Sequence, residues 1–147
     1  MGFSPRRACG SPDAVAAMLQ SGVASRESLV AAGCAFANAD GEARDRFEGR
    51  VVLPIRDARK QPLGFGSREI GEPQTRAPGD SRKPSPKFVN SPTTPIFVKG
   101  AALFGLDLAC THVRQLDECV LVEGYFDVIA LHEIGVRNVP RACSALA

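Results

Sequence analysis

The alternation of apolar and polar positions is clearest in the last third of the chain. Cys119–Val122 is a short apolar run with the length of a buried strand, and Glu123 and Gly124 follow it directly. Apolar residues then recur at spacings of three and four, which predicts a helix over Tyr125–Glu133. Val136–Val139 has the composition of a second strand, so the order predicts a parallel pair of strands with a crossover helix. The apolar positions that define the helix face are Phe126, Ile129, Ala130 and Ile134.

The first part of the chain predicts two short helices followed by a hairpin. Pro12–Gln20 and Arg26–Ala32 each follow or include residues suited to a helix N-terminus, so we expect both to be helical. Phe36–Arg44 is rich in turn residues and predicts a loop. Arg50–Asp57 and Leu63–Arg68 are apolar segments on either side of a polar turn, which predicts a β-hairpin.

The middle of the chain contains a proline and two glycines at informative positions. Pro54 in the first hairpin strand indicates an edge or a bulge, because proline cannot donate a ladder hydrogen bond. Gly64 and Gly66 leave one face of the second strand bare, which permits close approach of another backbone or of a ligand.

Residues 71–86 are rich in proline, glycine and charge and predict a flexible loop, whereas Ala101–His112 has helical spacing.

Composition is that of an ordinary globular protein, with 44% hydrophobic and 23% charged residues in a chain of 147. This length corresponds to one domain or to parts of two. No apolar run approaches the ~18 residues of a membrane span, and the N-terminal stretch lacks the apolar core of a secretory signal. The five cysteines are scattered and have only His112 and His132 as possible co-ligands, so we expect no zinc site. Unpaired cysteines suit a reducing compartment, and we expect a cytoplasmic protein that does not enter a membrane.

Positive charge is concentrated in the middle of the chain. The segment from Arg44 to Lys99 contains 12 Lys and Arg against 6 Asp and Glu, whereas the whole chain has 18 against 16. A basic region that precedes an acidic site suits an enzyme acting on nucleic acid, because cations hold phosphates and carboxylates hold metal. The same excess of positive charge also suits a solvated surface.

Two carboxylates flank the start of the helix predicted over Tyr125–Glu133. Glu123 follows the predicted strand, and Asp127 lies four residues later, one helical turn further on. In open parallel sheets the functional crevice lies beyond the carboxyl ends of the strands, and two carboxylates there can share a hard divalent cation such as magnesium. The alternative is structural: Glu123 is then a charge favoured by the helix dipole, and Asp127 is a solvated surface residue.

Three separated blocks of sequence resemble the catalytic core of the bacterial-type DNA primases. They are RFEGRVVLPIRDARKQPLGFGSR (46–68), PKFVNSPTTPIFVKGAALFGLDLA (86–109) and LVEGYFDVIALHEIGVRNV (121–139), in the family's order and at close to its spacing. The resemblance implies an α/β chain in two parts. Residues 1–115 correspond to the basic α+β N-terminal subdomain of the catalytic core. Residues 116–147 correspond to the start of a Toprim domain with a Rossmann-like parallel sheet: its first strand, its helix and the beginning of a second strand.

The resemblance also implies roles for individual residues. Glu123 matches the family's first Toprim carboxylate and Asp127 the acid that supports it, so both are expected to bind metal and to act in catalysis. Phe88 stands where the family usually has tyrosine, which retains ring stacking and removes a hydroxyl contact. The residues expected to bind nucleic acid or nucleotide in a basic groove are Arg50, Arg56, Arg68, Lys87, Asn90 and Lys99.

Members of this family make short RNA primers on single-stranded DNA for DNA replication. The resemblance therefore implies a nucleotidyltransferase, a DNA-directed RNA polymerase of the primase type, whose site depends on Mg²⁺ or Mn²⁺. The partners that it implies are the single-stranded DNA template, ribonucleoside triphosphates and a replicative helicase. The implied location is the cytoplasm, at the nucleoid or replisome.

The sequence departs from the family pattern in ways that bear on activity. The family's later Asp-x-Asp pairs and its preceding zinc-binding domain have no counterpart in it, and Pro140 and Arg141 interrupt the expected second strand. We therefore expect an incomplete fragment that is inactive alone. The alternatives are a non-catalytic primase remnant that binds single-stranded DNA, and another Toprim enzyme such as a phage primase–helicase or a nuclease.

Overall fold

The three-dimensional structure, a computed structural model, describes residues 1–4, 13–38, 40–70 and 86–143. The flexible loop predicted over residues 71–86 lies outside the described residues except for its last position. Within the described ranges, no helix is long and apolar enough to cross a lipid bilayer.

Helices and strands are mixed along the chain. The helices are α1 (Ala14–Gln20), α2 (Arg26–Ala31), α3 (Leu106–Leu116) and α4 (Tyr125–Glu133), with a 3-10 turn at Lys99–Ala101. The strands are β1 (Gly2–Ser4), β2 (Ala35–Ala37), β3 (Ala43–Asp45), β4 (Arg50–Arg56), β5 (Pro62–Glu69), β6 (Phe88–Asn90), β7 (Leu103–Phe104) and β8 (Arg141–Ala142). This mixture of helix and sheet confirms the predicted α/β fold class, with α+β character in the N-terminal part.

An antiparallel sheet with the strand order β1-β4-β5-β6 is the largest sheet of the described residues. The predicted hairpin is its β4–β5 pair, in which Leu53 lies opposite Gly66. Since side chains alternate between the two faces of a strand, one face carries large residues of β4 beside glycines of β5. The irregularity expected near Pro54 is present as a register shift between Ile55 and Arg56.

Aromatic side chains fill the space that the two glycines of β5 leave open. Phe97 packs over Gly64, and Tyr125 packs so closely over Gly66 that a Cβ atom there would overlap its ring. The bare glycine face thus receives side chains of the protein itself. Tyr125 is 2% exposed. The buried residues of this main core are Leu53, Ile55, Phe97, Ala102, Phe104, Tyr125, Val128, Val139 and Cys143.

A smaller core joins α1 and α2 to β2. Both helices begin at capping side chains: Asp13 Oδ1 accepts a hydrogen bond from Ala16 N at 2.7 Å, and Ser25 Oγ accepts one from Ser28 N at 3.2 Å. Such caps satisfy backbone donors that have no partner inside the first helical turn. The buried residues of this core are Val15, Leu29 and Ala35.

A buried carboxyl group connects β3 to β1. Asp45 is 7% exposed and accepts hydrogen bonds from the Ser4 hydroxyl and, at 2.7 Å, from the Phe47 backbone N–H. Burial raises the pKa of the Asp45 carboxyl above its ordinary value, and these hydrogen bonds oppose that shift only in part. The charged form of this side chain is therefore less favourable in the folded protein than in the unfolded chain.

The prediction of a loop over Phe36–Arg44 is wrong, because this segment forms most of the hairpin β2–β3. Ala35 pairs with Asp45, Ala37 pairs with Ala43, and Ala35 is completely buried. Strands of three residues are too short to show an alternation of period two, so the turn residues dominate the sequence pattern.

The two strands predicted at Cys119–Val122 and Val136–Val139 are not formed. One parallel bridge joins Val122 to Arg141, supported by a hydrogen bond from Val122 N to Pro140 O at 3.3 Å. The strand that does form at this point is β8, which pairs antiparallel to β7. The first segment is mostly exposed rather than buried, since no additional strand flanks it within the part of the chain that the structure describes.

The helix predicted over Tyr125–Glu133 is present as α4, and its buried face matches the predicted one only in part, since Phe126 and Ile129 pack against the main core. Tyr125 and Val128 are buried, whereas Ile134, expected on the core face, is 76% exposed. The helix has apolar residues on more than one side, so spacing alone does not select the buried face. Packing of the Tyr125 ring over Gly66 selects it instead.

Substituting Gly66 by alanine is expected to lower the free energy of unfolding by about 1–3 kcal/mol, because the added methyl group would overlap the Tyr125 ring. Gly100→Ala is the matched control, since nothing lies within 4 Å of a Cβ atom at that position. Urea denaturation of the parent and both variants measures the difference. Equal unfolding midpoints for the two variants would contradict this packing.

The stability of the Asp45→Asn variant relative to the parent is expected to increase as the pH rises. The parent has its full stability below the ordinary carboxyl pKa of 3.8 and loses stability as the pH rises through the raised pKa. Asparagine does not titrate, so the variant avoids that loss. Urea denaturation between about pH 3 and about pH 7 measures the difference. Asp40→Asn, at an exposed position, is the control, and a pH-independent difference for Asp45→Asn would contradict the effect of burial.

Candidate nucleic-acid interface

Arg68 lies between two aromatic rings near one end of the four-stranded sheet. It is on β5 directly opposite Phe88 of β6. Its guanidinium carbon lies 5.9 Å from the centroid of the Phe88 ring and 4.7 Å from the centroid of the Phe126 ring on α4. Phe88 is 45% exposed. A cation beside an accessible ring offers an ionic partner for a phosphate and a stacking surface for a base.

Arg50 is buried beside this cluster and binds the protein itself. Its guanidinium donates hydrogen bonds to the carbonyl oxygens of Pro86 at 2.8 Å and of Lys87 at 3.4 Å. Its Nη2 also lies 4.0 Å from Glu69 Oε2. These contacts hold the segment that leads into β6 against β4. Arg50 therefore positions the exposed Lys87 and does not present its own guanidinium at the surface.

Asn90 links the sheet to α4 and to the segment after β8. Its Oδ1 accepts a hydrogen bond from the Tyr125 hydroxyl at 2.7 Å, and its Nδ2 donates one to the Cys143 carbonyl at 3.3 Å. Both polar ends of the amide are thus engaged inside the protein, at the base of the cluster around Arg68.

The Tyr125 phenol and the Cys143 thiol at this junction are both neutral at physiological pH. Burial is the main cause that raises the pKa of the Tyr125 phenol, and the neighbouring Cys143 adds to the shift. Burial likewise raises the pKa of the Cys143 thiol. Hydrogen bonds between neutral groups therefore hold α4 to the sheet, and they do not depend on ionisation near neutral pH.

Arg56 lies apart from the cluster around Arg68. Val51 is the β4 residue opposite Arg68, and Arg56 lies five residues further along the strand, a distance of roughly 17 Å. Its Nη1 is 3.7 Å from Asp107 Oδ2. Lys99 is exposed in the 3-10 turn. Of the six residues expected to form the groove, the structure thus groups three near the ends of β5 and β6, buries Arg50 behind them, and places Arg56 at the far end of β4.

Glu123 and Asp127 differ in their local contacts. The Glu123 side chain is exposed at the turn before α4. Asp127 Oδ2 accepts a hydrogen bond from the Gly124 N–H at 3.0 Å, and the missing Cβ of Gly124 leaves room for that carboxylate. Asp127 thus helps to cap the first turn of α4, and its second oxygen remains beside the same turn as Glu123.

These two carboxylates suit magnesium as part of a larger ligand set. In proteins Mg²⁺ often binds one or two carboxylates and fills its other positions with water and substrate phosphates. Glu123 and the second oxygen of Asp127 are ligands of that type. Among the described residues, no group of three or more His, Cys, Asp or Glu side chains could hold a metal ion. Binding of Mg²⁺ by these two carboxylates would therefore require further ligands from elsewhere.

Two residues near the interface are not found by sequence reasoning. Spacing assigns Phe126 to the core face of its helix, where it packs, but gives no sign that its ring also lies against Arg68. The sequence pattern treats Arg141 only as an interruption of a strand, whereas it forms part of β8 and its Nε donates a hydrogen bond to the Glu123 carbonyl at 2.6 Å. An aromatic residue immediately before Asp127 is the one local signal for the first contact, and the second has no local signal.

Comparison with known proteins identifies the family. The model of the DNA primase catalytic core, N-terminal domain, matches residues 1–110. The chain belongs to the DNA primases. The DNA primase of Synechocystis sp. is 46% identical over 98 residues, which cover 67% of this chain and 14% of the relative. That of Pseudomonas putida is 45% identical over 111 residues, 75% of this chain and 15% of the relative.

The chain spans about one seventh of the length of these primase relatives. Solved primase structures share its fold. The RNA polymerase domain of the Mycobacterium tuberculosis primase has a TM-score of 0.79 at 32% identity. The match covers 99% of this chain and 43% of the M. tuberculosis chain. A primase catalytic domain bound to single-stranded DNA has a TM-score of 0.66 at 35% identity over 87% of this chain and 39% of its own.

Proposed function

We propose that this chain carries part of the catalytic core of a DNA primase, which synthesises short RNA primers on single-stranded DNA during replication. The observation that carries the proposal is the contact of Arg68 with Phe126. Phe126 lies in the first turn of α4, three residues after Glu123. A surface suited to phosphates and bases is therefore adjacent to a carboxylate suited to metal. Template-directed nucleotidyl transfer requires both functions in one place, because the reacting groups must be held together and their charge stabilised.

In this proposal single-stranded DNA binds across Arg68, Lys87 and Phe88. The two cations neutralise backbone phosphates and the exposed ring stacks on a base, a combination that holds single strands without sequence preference. Arg50 and Asn90 support this surface from behind through the hydrogen bonds described above. A similar primase catalytic domain, 35% identical, is bound to single-stranded DNA, which supports the assignment.

Glu123 and Asp127 are proposed to bind Mg²⁺ or Mn²⁺. When bound there, such an ion would supply positive charge for a triphosphate and would lower the cost of removing the proton of an attacking 3′-hydroxyl. Glu123 presents an exposed carboxylate to the ion. The hydrogen bond from Gly124 holds one oxygen of Asp127 and thereby fixes the position of the other.

Ribonucleoside triphosphates are the proposed substrates, and a replicative helicase is a proposed partner, which implies a cytoplasmic location at the nucleoid or replisome. Arg56 and Lys99 are also proposed to contact nucleotide or template. Because the chain spans about one seventh of its relatives' length, these functions are proposed for a primase that also has the remaining parts of the catalytic core.

A second candidate function is binding of single-stranded DNA without catalysis. The observation that favours it is the contrast between the two sites: the basic and aromatic surface is assembled, whereas no group of three metal ligands occurs among the described residues. Both functions share DNA binding, and only the first yields primers. A primer-synthesis assay with labelled ribonucleotides, single-stranded DNA and Mg²⁺ separates them.

Arg68→Ala and Lys87→Ala are expected to weaken binding of single-stranded DNA and to flatten its dependence on salt. Each substitution removes one phosphate contact, so the slope of log K against log salt should become shallower by about 0.7. Fluorescence anisotropy of a labelled oligothymidylate at several salt concentrations measures both the affinity and the slope.

Arg59→Ala is the control for these two variants, because Arg59 is an exposed arginine in the turn between β4 and β5, at the other end of the hairpin. Its salt slope should equal that of the parent. A parental slope for Arg68→Ala would remove that residue from the interface. An equal change in Arg59→Ala would indicate a general charge effect in place of a local contact.

Glu123→Gln is expected to abolish primer synthesis and to leave DNA binding unchanged. The test uses this segment grafted into the RNA polymerase domain of the Mycobacterium tuberculosis primase, which covers 99% of this chain. Primer yield should fall on the order of 100-fold or more, since the substitution removes a charged metal ligand. The affinity for single-stranded DNA should stay within about twofold. Equal loss of both would show that Glu123 has no separate role in the chemistry.

A further inference from the structure

Arg141 is attached to the turn that carries Glu123. It lies on β8 opposite Phe104 of β7 and forms the parallel bridge with Val122, the residue before Glu123. Its Nε donates a hydrogen bond to the Glu123 carbonyl oxygen at 2.6 Å. The donor is a charged guanidinium, which strengthens a hydrogen bond of this kind. The main chain is therefore held both before and at Glu123.

The guanidinium of Arg141 also stacks on Tyr125, two residues beyond Glu123. Its carbon lies 4.1 Å from the ring centroid, within the range of a cation–π interaction. The ring is itself fixed, because its hydroxyl donates to Asn90 Oδ1 at 2.7 Å and it forms a T-shaped pair with Phe104, with centroids 4.8 Å apart. Arg141 thus holds the turn against a rigid surface.

We propose that Arg141 is a positioning residue that fixes the direction of the Glu123 carboxylate, an inference that rests on the metal-binding role proposed for Glu123. It acts through the main chain, since its Nε binds the carbonyl and not the carboxylate of Glu123. With this carbonyl and the Tyr125 ring both held, the turn presents the carboxylate to a divalent cation in a restricted set of orientations. Pre-oriented ligands bind a metal more tightly because less freedom is lost on binding.

Arginine is the side chain that can make both contacts at once. Its planar group stacks on the Tyr125 ring while the Nε–H points within the plane toward the Glu123 carbonyl. An uncharged replacement of similar length can keep the stem of the side chain on the Tyr125 ring, so it is expected to remain folded.

Charge and positioning predict opposite effects on metal binding. A nearby cation repels a divalent ion, so loss of the Arg141 charge would by itself strengthen metal binding at Glu123. Loss of positioning would weaken it. The sign of the change therefore separates the two contributions.

The test compares Arg141→Met with Arg137→Met in this chain. Methionine keeps an unbranched stem that can lie on the Tyr125 ring, but it has neither the charge nor the N–H group. Arg137 is exposed four residues earlier, so Arg137→Met removes the same charge from the same segment. Urea denaturation verifies that both variants are folded.

Two NMR measurements report on metal binding and on the turn. Titration with Mn²⁺ broadens amide signals near a bound ion, and hydrogen exchange at the Gly124 amide reports opening of the turn. Arg141→Met is expected to bind Mn²⁺ about tenfold more weakly at Glu123 than the parent, and to exchange Gly124 about tenfold faster. Arg137→Met should bind Mn²⁺ at least as tightly as the parent and exchange at the parent's rate.

The outcomes distinguish this inference from the proposed function. Parental or tighter Mn²⁺ binding by Arg141→Met overturns the positioning role and leaves the metal-binding role of Glu123 intact. Faster exchange at Gly124 without weaker Mn²⁺ binding shows a purely structural contact and also overturns it. If Mn²⁺ broadens the signals around Glu123 no more in the parent than in Glu123→Gln, the metal-binding role itself is wrong, and the positioning role is overturned with it.

Discussion

The packing of Tyr125 against the glycine face of the sheet is the contact on which the other functional positions depend. Its ring fills the space at Gly66 and its hydroxyl is bound by Asn90, so α4 is fixed against β5 and β6. This placement sets Phe126 beside Arg68. A basic surface from the middle of the chain and an acidic turn from its last third thereby become neighbours, although the sequence separates them by more than fifty residues.

The parts of the fold that follow from short-range rules could be predicted from the sequence. Asp13 and Ser25 mark the starts of α1 and α2 because capping is decided within one helical turn. The β4–β5 hairpin has an apolar segment on each side of a polar turn. Gly66 indicates a close approach, which an aromatic side chain makes in place of the expected backbone or ligand. The resemblance to the primases identified the family, which the match over residues 1–110 confirms.

The remaining features depend on contacts between distant segments, which leave no periodic signal. The sequence suggests that Arg50 binds nucleic acid in the groove. The structure buries it instead, with its guanidinium hydrogen-bonded to carbonyl groups that lie 36 and 37 residues further along the chain. Arg141 reaches Glu123 across 18 residues. The hairpin β2–β3 is too short for its alternation to be recognised. In each case tertiary packing decides the role of a side chain that local pattern leaves open.

The most direct test of the central claim, that the surface around Arg68 binds single-stranded DNA, is an NMR titration of this chain with an oligothymidylate. The protein offers an internal comparison, because Arg46 lies 5.8 Å from the centroid of the exposed Phe36 ring on the hairpin β2–β3, a similar cation–aromatic pair elsewhere. We predict salt-sensitive shifts at Arg68, Phe88 and Phe126 and none at the Phe36 pair. Shifts confined to the Phe36 pair would contradict the interface.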